Sequence, residues 1–389
     1  MTHYWRRIPM RPARCSLIGA TLAALALTLS GCGKTAGQNE ILIGEYSSLT
    51  GTTATFGQST HRGLSMAVDD INNAGGILGK KVKLITEDDQ SKPEEAATAV
   101  TKLISRDQVV AVVGEVSSSR SLAAAPICQA NGIPMVSNAS TNPEVTRKGD
   151  YIFRVCYIDP FQGEIQARFA YNSLGMRKAA ILKDIRNDYS IGLAQYFSEA
   201  FTQLGGEIVA EQAYSEGDTD FKAQLTALKA ASPEMILVPG YYTEGALIVK
   251  QARELNITVP IIGGDGWDSA KLVEIGGQAM NNTFFSTAYS ADDPDTVVQN
   301  FARRFRQLYN EPPDAFAALG YDAGLILFDA IKRAESTEGA KIRDALAATR
   351  DFHGVTGSIT IDAERNARKP IVIIAVQDGQ FRYRETVQP

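Results

Sequence analysis

Six short segments of this 389-residue chain gather the hydroxyl, aromatic and carboxylate side chains from which a site could be built. Ser47-Ser48-Leu49-Thr50-Gly51 leads on to Phe56-Gly57, Gly114-Glu115-Val116 runs into Ser117-Ser118-Ser119, and Asn138-Ala139-Ser140-Thr141-Asn142-Pro143 forms a third segment. Further along come Asp184–Tyr189, Gly240-Tyr241-Tyr242-Thr243-Glu244 and Gly263-Gly264-Asp265-Gly266-Trp267. The first three offer hydroxyls and free backbone amides; the last three offer aromatic rings and a carboxylate. A zwitterion needs that division, because hydroxyls and helix-start amides bind a carboxylate while an acid pairs with an ammonium. Each segment also has a plainer reading. Serines cap helices, Thr141 before Asn142-Pro143 suits a turn, and Asp265 between glycines could stand in an exposed turn. Of the Tyr241-Tyr242 pair, one ring is expected to face the core. Asp69-Asp70 and Asp88-Asp89 read as a solvated helix face and a strand end.

Catalysis finds little to work with. His3 precedes Arg6, Arg7, Arg11 and Arg14 in a leader, which leaves His61 and His353, and neither lies near a Gly-x-Ser-x-Gly elbow. Gly75–Lys80 lacks the length, the trailing Ser/Thr and the strand-to-helix order of a phosphate loop, and Gly264-Asp265-Gly266 lacks the third glycine of a dinucleotide fingerprint. No calcium-loop run and no histidine pair at metal spacing occurs, so neither a metal nor a cofactor is expected. A secreted hydrolase is therefore disfavoured, and the chain reads as a binding protein rather than an enzyme.

These segments fall between elements of regular alternation. Strands are expected at 41–46, 82–88, 109–114, 134–137 and 151–157, with helices at 58–73, 93–105 and 119–130 between them. The pattern restarts with helix 161–174, strand 178–183, helix 190–204, strand 207–214, helix 219–230, strand 235–239, helix 243–255 and strand 260–263. After strand 283–289 come helices at 295–310, 315–335 and 338–348. Ser358–Ile361, Ile371–Val376 and Phe381–Tyr383 close the chain as a hairpin-like tail turning at Asp378-Gly379. Such β-α-β-α order implies an α/β protein with doubly wound parallel sheets. In open parallel sheets ligands sit beyond the carboxyl ends of the strands, which is where the six segments lie.

The first 32 residues read differently. A basic front precedes the apolar run Leu17–Ser30, and no acidic residue occurs before Glu40. The run is too short to span a bilayer and has the flanks of a signal peptide. It closes on Leu29-Ser30-Gly31-Cys32, which resembles the lipobox of bacterial lipoproteins and implies that Cys32 carries the lipid. Removing residues 1–31 leaves 35 basic against 44 acidic residues, a net charge of −9. An acidic body without a Lys/Arg cluster argues against nucleic acid and against an anionic membrane face. Membrane attachment then rests on Cys32 alone. Of the remaining cysteines, Cys128 and Cys156 could form a disulfide in an exported protein; two buried thiols are the favoured reading.

The ordered set over 41–389 resembles the leucine/isoleucine/valine-binding proteins, the solute receptors of branched-chain amino-acid ABC transporters. Its carriers are Ser48-Leu49-Thr50-Gly51 with Phe56-Gly57, Asp69-Asp70-Ile71-Asn72 with Gly75-Gly76-Ile77, and Gly114 with Ser117–Ser119. Thr141-Asn142-Pro143-Glu144, Tyr241-Tyr242 and Gly264-Asp265-Gly266 complete it. The resemblance implies the type I periplasmic binding fold, two lobes joined by three crossovers that close on ligand by a hinge. It implies a signal peptide at 1–31, a tether at 32–40, one lobe from 41–158 plus 290–366, and a second from 159–289 plus 367–389. Crossovers would fall near 157–160, 288–291 and 365–370. The implied ligand residues are the Ser118 and Thr141 hydroxyls and the Ser118 and Ala139 amides for a carboxylate, with Asp265 for an α-ammonium. Phe56, Tyr189 and Tyr241 would form the walls. Aspartate at 265, where glutamate is usual, and Phe56, where tyrosine is usual, leave an amino-acid ligand implied without naming which. The implied protein is an exported, lipid-anchored monomer that hands an amino acid to an ABC permease and ATPase. A sensor of the same fold signalling through a partner, and a receptor for a carboxylate or amide lacking the amino group, are the alternatives.

Overall fold

A computed structural model describes residues 39–388. The leader and Cys32 lie outside the described residues. The chain opens with β1 (Glu40–Ser47), α1 (Ala54–Asn73), β2 (Lys81–Asp88), α2 (Pro93–Ser105), β3 (Ala111–Val113) and α3 (Ser118–Ala130). It continues with β4 (Met135–Ser137), α4 (Glu144–Arg147) and β5 (Ile152–Arg154). These five strands make one sheet in the order β2-β1-β3-β4-β5, parallel throughout. β3, β4 and β5 are short and fully buried, as strands covered by helices on both faces must be.

α5 (Asp159–Arg168) starts the second unit and runs on as a π-helical turn over Phe169–Ser173. There follow β6 (Lys178–Asp184), α6 (Asp188–Gln203), β7 (Glu207–Tyr214), α7 (Lys222–Ala230), β8 (Met235–Val238), α8 (Tyr242–Glu254) and β9 (Ile261–Gly263). A 3-10 turn over Asp265–Trp267 precedes α9 (Ala270–Gly276) and β10 (Thr283–Thr287). The chain then adds α10 (Thr296–Tyr309), α11 (Ala315–Ala334) and α12 (Gly339–Ala347). It ends with β11 (Phe352–Gly354), β12 (Gly357–Ile361), β13 (Ala367–Arg368), β14 (Ile371–Gln377) and β15 (Gln380–Val387). The second sheet runs β15-β14-β10-β9-β8-β6-β7. Its first five strands in sequence are mutually parallel, whereas β14 and β15 pair antiparallel at one edge. The chain is thus α/β, but this sheet is mixed rather than purely parallel.

The tail differs from the expected hairpin in one respect. β14 and β15 do turn at Asp378-Gly379, but β12 leaves them and pairs with β11 and β13 in a small separate sheet. Helix α1 begins four residues before the expected 58, so Phe56 and Gly57 belong to its first turn. α4 and α9 were unexpected; each is only a turn or two of helix, too short for its apolar spacing to mark it from the sequence. Cys128 and Cys156 are both free and buried, and burial pushes each thiol up to about 12, so neither is reactive.

α11 is tied to α1 by close backbone approach. A Cβ on Gly63 would lie 1.9 Å from the Ala317 carbonyl oxygen, and one on Gly320 would lie 2.5 Å from that of Thr60. Only glycine allows the two helices so near each other. The approach seats the Phe316 ring 4.4 Å from that of Phe56.

Candidate functional site

Each main sheet has one place where the strand order reverses direction, between β1 and β3 in the first and between β6 and β8 in the second. Loops leaving the carboxyl ends of such strands diverge and open a crevice. The loops at 47–57 and 114–119 sit at the first switch, and those at 184–189 and 239–244 at the second. Hydrogen bonds run between the carboxyl-end loops of the two sheets, from these sets and from the neighbouring loops after β4, β7 and β9. The Thr52 hydroxyl donates to Glu216 (2.6 Å), the Tyr242 hydroxyl to the Thr52 carbonyl (3.1 Å), and the Asp188 amide to Ser119 Oγ (3.1 Å). Asn142 Nδ2 donates to the Asp188 carbonyl (2.9 Å), and Ser269 Oγ to Thr55 Oγ1 (3.2 Å). The two carboxyl-end surfaces therefore meet face to face along a seam.

On the first side, Ser118 is the opening residue of α3 and its Oγ accepts the Asn142 amide at 3.2 Å. This bond draws the start of α3 to the loop after β4. In that loop Thr141 is buried, its carbonyl accepts the Asp159 amide (2.9 Å), and its hydroxyl lies beside the Asp159 carboxylate. Ala139 is buried two residues earlier. No hydrogen bond from its amide or carbonyl links it to the other candidates among the described residues.

On the second side the aromatic walls are assembled. The Tyr189 and Tyr241 rings stack in parallel, 5.7 Å apart with planes 4° from each other. Phe56 meets Tyr241 edge-on at 5.4 Å and Tyr242 at 5.1 Å. Both tyrosines of the 241–242 pair are buried. Tyr241 faces the seam, where its hydroxyl and Ser117 Oγ are 2.7 Å apart, and Tyr242 packs behind Phe56. Tyr189 reaches Asp265 because residue 264 is glycine: a Cβ there would sit 1.9 Å from the tyrosine oxygen.

Asp265 is only 8% exposed and accepts Gln162 Nε2 at 2.8 Å. Burial pushes its carboxyl up to about 6, against the opposing hydrogen bonds from Gln162 and Tyr189. Asp159 was not singled out from the sequence. Burial pushes it up to about 8, the Thr141 hydroxyl opposes this, and the nearby Asp265 charge adds to it. Neither Asp159 oxygen has a hydrogen-bond partner of good geometry among the described residues. Two buried acids thus act on each other's charge, Asp159 beside the Thr141 hydroxyl and Asp265 beside Tyr189 of the tyrosine stack. A bound cation would relieve both.

The structure brings the expected Ser118, Ala139, Thr141, Tyr189, Tyr241, Asp265 and Phe56 to the seam and adds Asp159 and Gln162, which the sequence did not single out. Asp159 lies two residues before the helix expected at 161–174, but that helix starts at Asp159 itself and the fold buries its carboxyl. Asp89 also departs from its reading as a solvated strand end. It is fully buried, accepts the Ser48 hydroxyl at 2.7 Å, and rises to about 7 because of burial and the neighbouring Glu115. Asp70 likewise pairs with Arg304 and accepts the Tyr321 hydroxyl at 2.7 Å. His61 pairs with Glu45 (2.7 Å) and exposed His353 lies near Asp295 (3.4 Å). Among the described residues, no group of three or more His, Cys, Asp or Glu is placed to hold a metal ion.

The family model described as periplasmic binding protein matches residues 40–380. The chain belongs to the periplasmic binding protein family. Within it, the Leu/Ile/Val-binding protein BraC3 of Rhizobium johnstonii is 32% identical over 324 residues, covering 82% of this chain and 87% of that one. A crystal structure of the leucine-binding protein LivK of Thermotoga maritima superposes with a TM-score of 0.87 at 39% identity. The match covers 90% of this chain and 99% of LivK. The substrate-binding protein LivJ of Streptococcus pneumoniae, solved in complex with isoleucine, gives 0.86 at 35% identity, over 90% of this chain and all of LivJ. The fold is the type I form of this family, which is one of solute-binding receptors and implies an extracytoplasmic location. No described helix is long and apolar enough to cross a membrane.

Proposed function

We propose that this periplasmic binding protein is a receptor that traps an α-amino acid in the seam between its two sheets and delivers it to an ABC permease. The single observation that carries the reading is the buried pair Asp159 and Asp265, with the Thr141 hydroxyl beside Asp159 and Tyr189 beside Asp265. The α-ammonium would stand between the two acids and restore the charge balance that burial has upset. The α-carboxylate would take the Ser118 and Thr141 hydroxyls and the Ser118 and Ala139 amides, at the positive end of α3. Phe56, Tyr189 and Tyr241 would cover the side chain and exclude water.

Entry requires the seam to part. The strands linking the halves near 157–160, 288–291 and 365–370 would act as the hinge between lobes 41–158 plus 290–366 and 159–289 plus 367–389. Ligand contacts on both lobes would then favour the closed form by differential affinity. The lipid on Cys32 would keep the receptor at the membrane. Calorimetry with the twenty amino acids, each beside its analogue lacking the amine, tests the reading. Micromolar or tighter binding of at least one amino acid, lost without the amine, is expected; equal binding of the deaminated acid overturns it.

A further inference from the structure

A polar cavity lies on the seam, next to Ser117, whose Oγ meets the Tyr241 hydroxyl. It measures about 80 Å³ and is lined by Pro93, Ser117, Ser119 and Arg120 from one half and by Arg186, Asn187 and Glu216 from the other. One small anion or a few waters fill such a volume, since a water takes up about 30 Å³ of liquid. Three helices start at its wall. Pro93 is the first residue of α2, Ser117 caps α3 and Asn187 caps α6. Each brings partial positive charge to the same space.

Arg120 is the decisive group. Its side chain is 2% exposed, and Nη2 donates to the Ser91 carbonyl at 2.8 Å, but Nε and Nη1 have no acceptor among the described residues. The acids nearby do not supply one. Glu115 Oε2 stands 3.8 Å from Nη1 and Glu216 Oε1 stands 3.8 Å from Nη2, both beyond hydrogen-bond length. Their oxygens are engaged elsewhere: Glu115 accepts the Ser48 hydroxyl (2.8 Å) and the Ser117 amide, and Glu216 accepts the Thr52 hydroxyl (2.6 Å). Arg186 adds a second cation at the exposed rim. Arg120 Nε and Nη1 are thus buried donors without an acceptor, even though the charges of Glu115, Asp89 and Glu216 act on the guanidinium.

We propose that this cavity binds a small anionic group, of halide or carboxylate size, between Arg120 and the three helix starts, and that the group bridges the two halves. It goes beyond the amino-acid reading and does not depend on it. The anion has two possible sources: a free ion from solution, or an acidic tail on the ligand held next door, since Ser117 lines this cavity and also meets Tyr241.

The first experiment uses the protein without any amino acid. Crystals grown in sodium bromide should show an anomalous peak within hydrogen-bond distance of Arg120 Nε or Nη1. Melting temperature should rise saturably in bromide or acetate relative to the same concentration of gluconate, which the cavity is too small to admit. Arg186→Gln should weaken this response several-fold, and Arg120→Lys, which keeps the charge but loses the guanidinium fork, should weaken it about tenfold or more. Water alone in the cavity, with equal melting in bromide and gluconate, overturns the proposal. The second experiment compares glutamate with glutamine and aspartate with asparagine by calorimetry. At least tenfold preference for an acid, lost in Arg186→Gln and accompanied by loss of the bromide peak, identifies the tail as the source. A bromide site without such preference identifies the free ion.

Discussion

Asp159 and Asp265 illustrate how burial converts an ordinary residue type into a recognition device. Either carboxylate in water would ionise near 4; here burial raises Asp265 to about 6 and Asp159 to about 8. An ammonium ligand would favour the ionised form of each. Asp265→Asn should cost about 2–5 kcal/mol of amino-acid affinity, the penalty for truncating one partner of a buried charge pair. Ser118→Ala should cost about 1.5–3 kcal/mol, for one hydrogen bond to a charged group. Because the Asp265 charge acts on Asp159, Asp159→Asn combined with Asp265→Asn should be non-additive. Calorimetry on the set checks the order, and wild-type affinity in Asp265→Asn would remove the ammonium assignment.

The sign of the pH dependence follows from the same pair. Both folded-state pKa values lie above the ordinary carboxylate value, so the folded apo protein binds more protons than the unfolded chain. These two groups therefore contribute stability that is fully present below about 4 and is lost as pH rises through about 6 and about 8. Amino-acid binding should strengthen over that same window, with proton release to buffer. Measured from pH 5 to 8.5, the gap in melting temperature between bound and free protein should widen with pH, and Asp159→Asn should flatten its upper part.

Among the elements, the crossing of α1 and α11 illustrates how packing reaches the site. The helix period alone marks both as amphipathic, but their closeness depends on Gly63 and Gly320 facing carbonyl oxygens. Gly63→Ala forces the helices apart and should destabilise the protein by about 1–3 kcal/mol, the usual range for overpacking. Because Phe56 and Phe316 ride on these two helices, ligand affinity should fall along with the melting temperature. Urea denaturation and calorimetry on this variant separate the two effects.

The whole molecule is two sheets meeting across a seam laced by hydrogen bonds such as Thr52 to Glu216 and Asn142 to Asp188. These are few and lie partly at the exposed rim, so they hold the closed form weakly by themselves. Small-angle scattering should show a smaller radius of gyration with saturating amino acid than without. Identical curves with binding confirmed separately would count against hinge closure. At the amino terminus, Cys32→Ala should leave the leader uncut or release the protein from membranes. If Cys32 carries the lipid, each buried acyl CH₂ would contribute about 0.8 kcal/mol, so losing the chains would abolish retention. Unchanged detergent partitioning of that variant would disprove the anchor.

Local information by itself determined most of the order of strands and helices, the doubly wound class and the six polar segments at strand ends. Apolar period, helix starts and turn residues are encoded within a few neighbours, and the match to α2 at 93–105 and β7 at 207–214 reflects that. Residues with a local signature, such as Ser118 among serines and Asp265 between glycines, were legible for the same reason. Asp159 was not, because nothing near it in the chain distinguishes a helix-start aspartate in water from one sealed beneath Thr141. Nor was Arg120, one arginine among many until the fold removed its acceptors. The antiparallel edge of the second sheet was equally hidden, since β14 pairs with β10 across more than eighty residues. Charge, burial and partner availability are properties of distant segments brought together, and only the tertiary structure decides them.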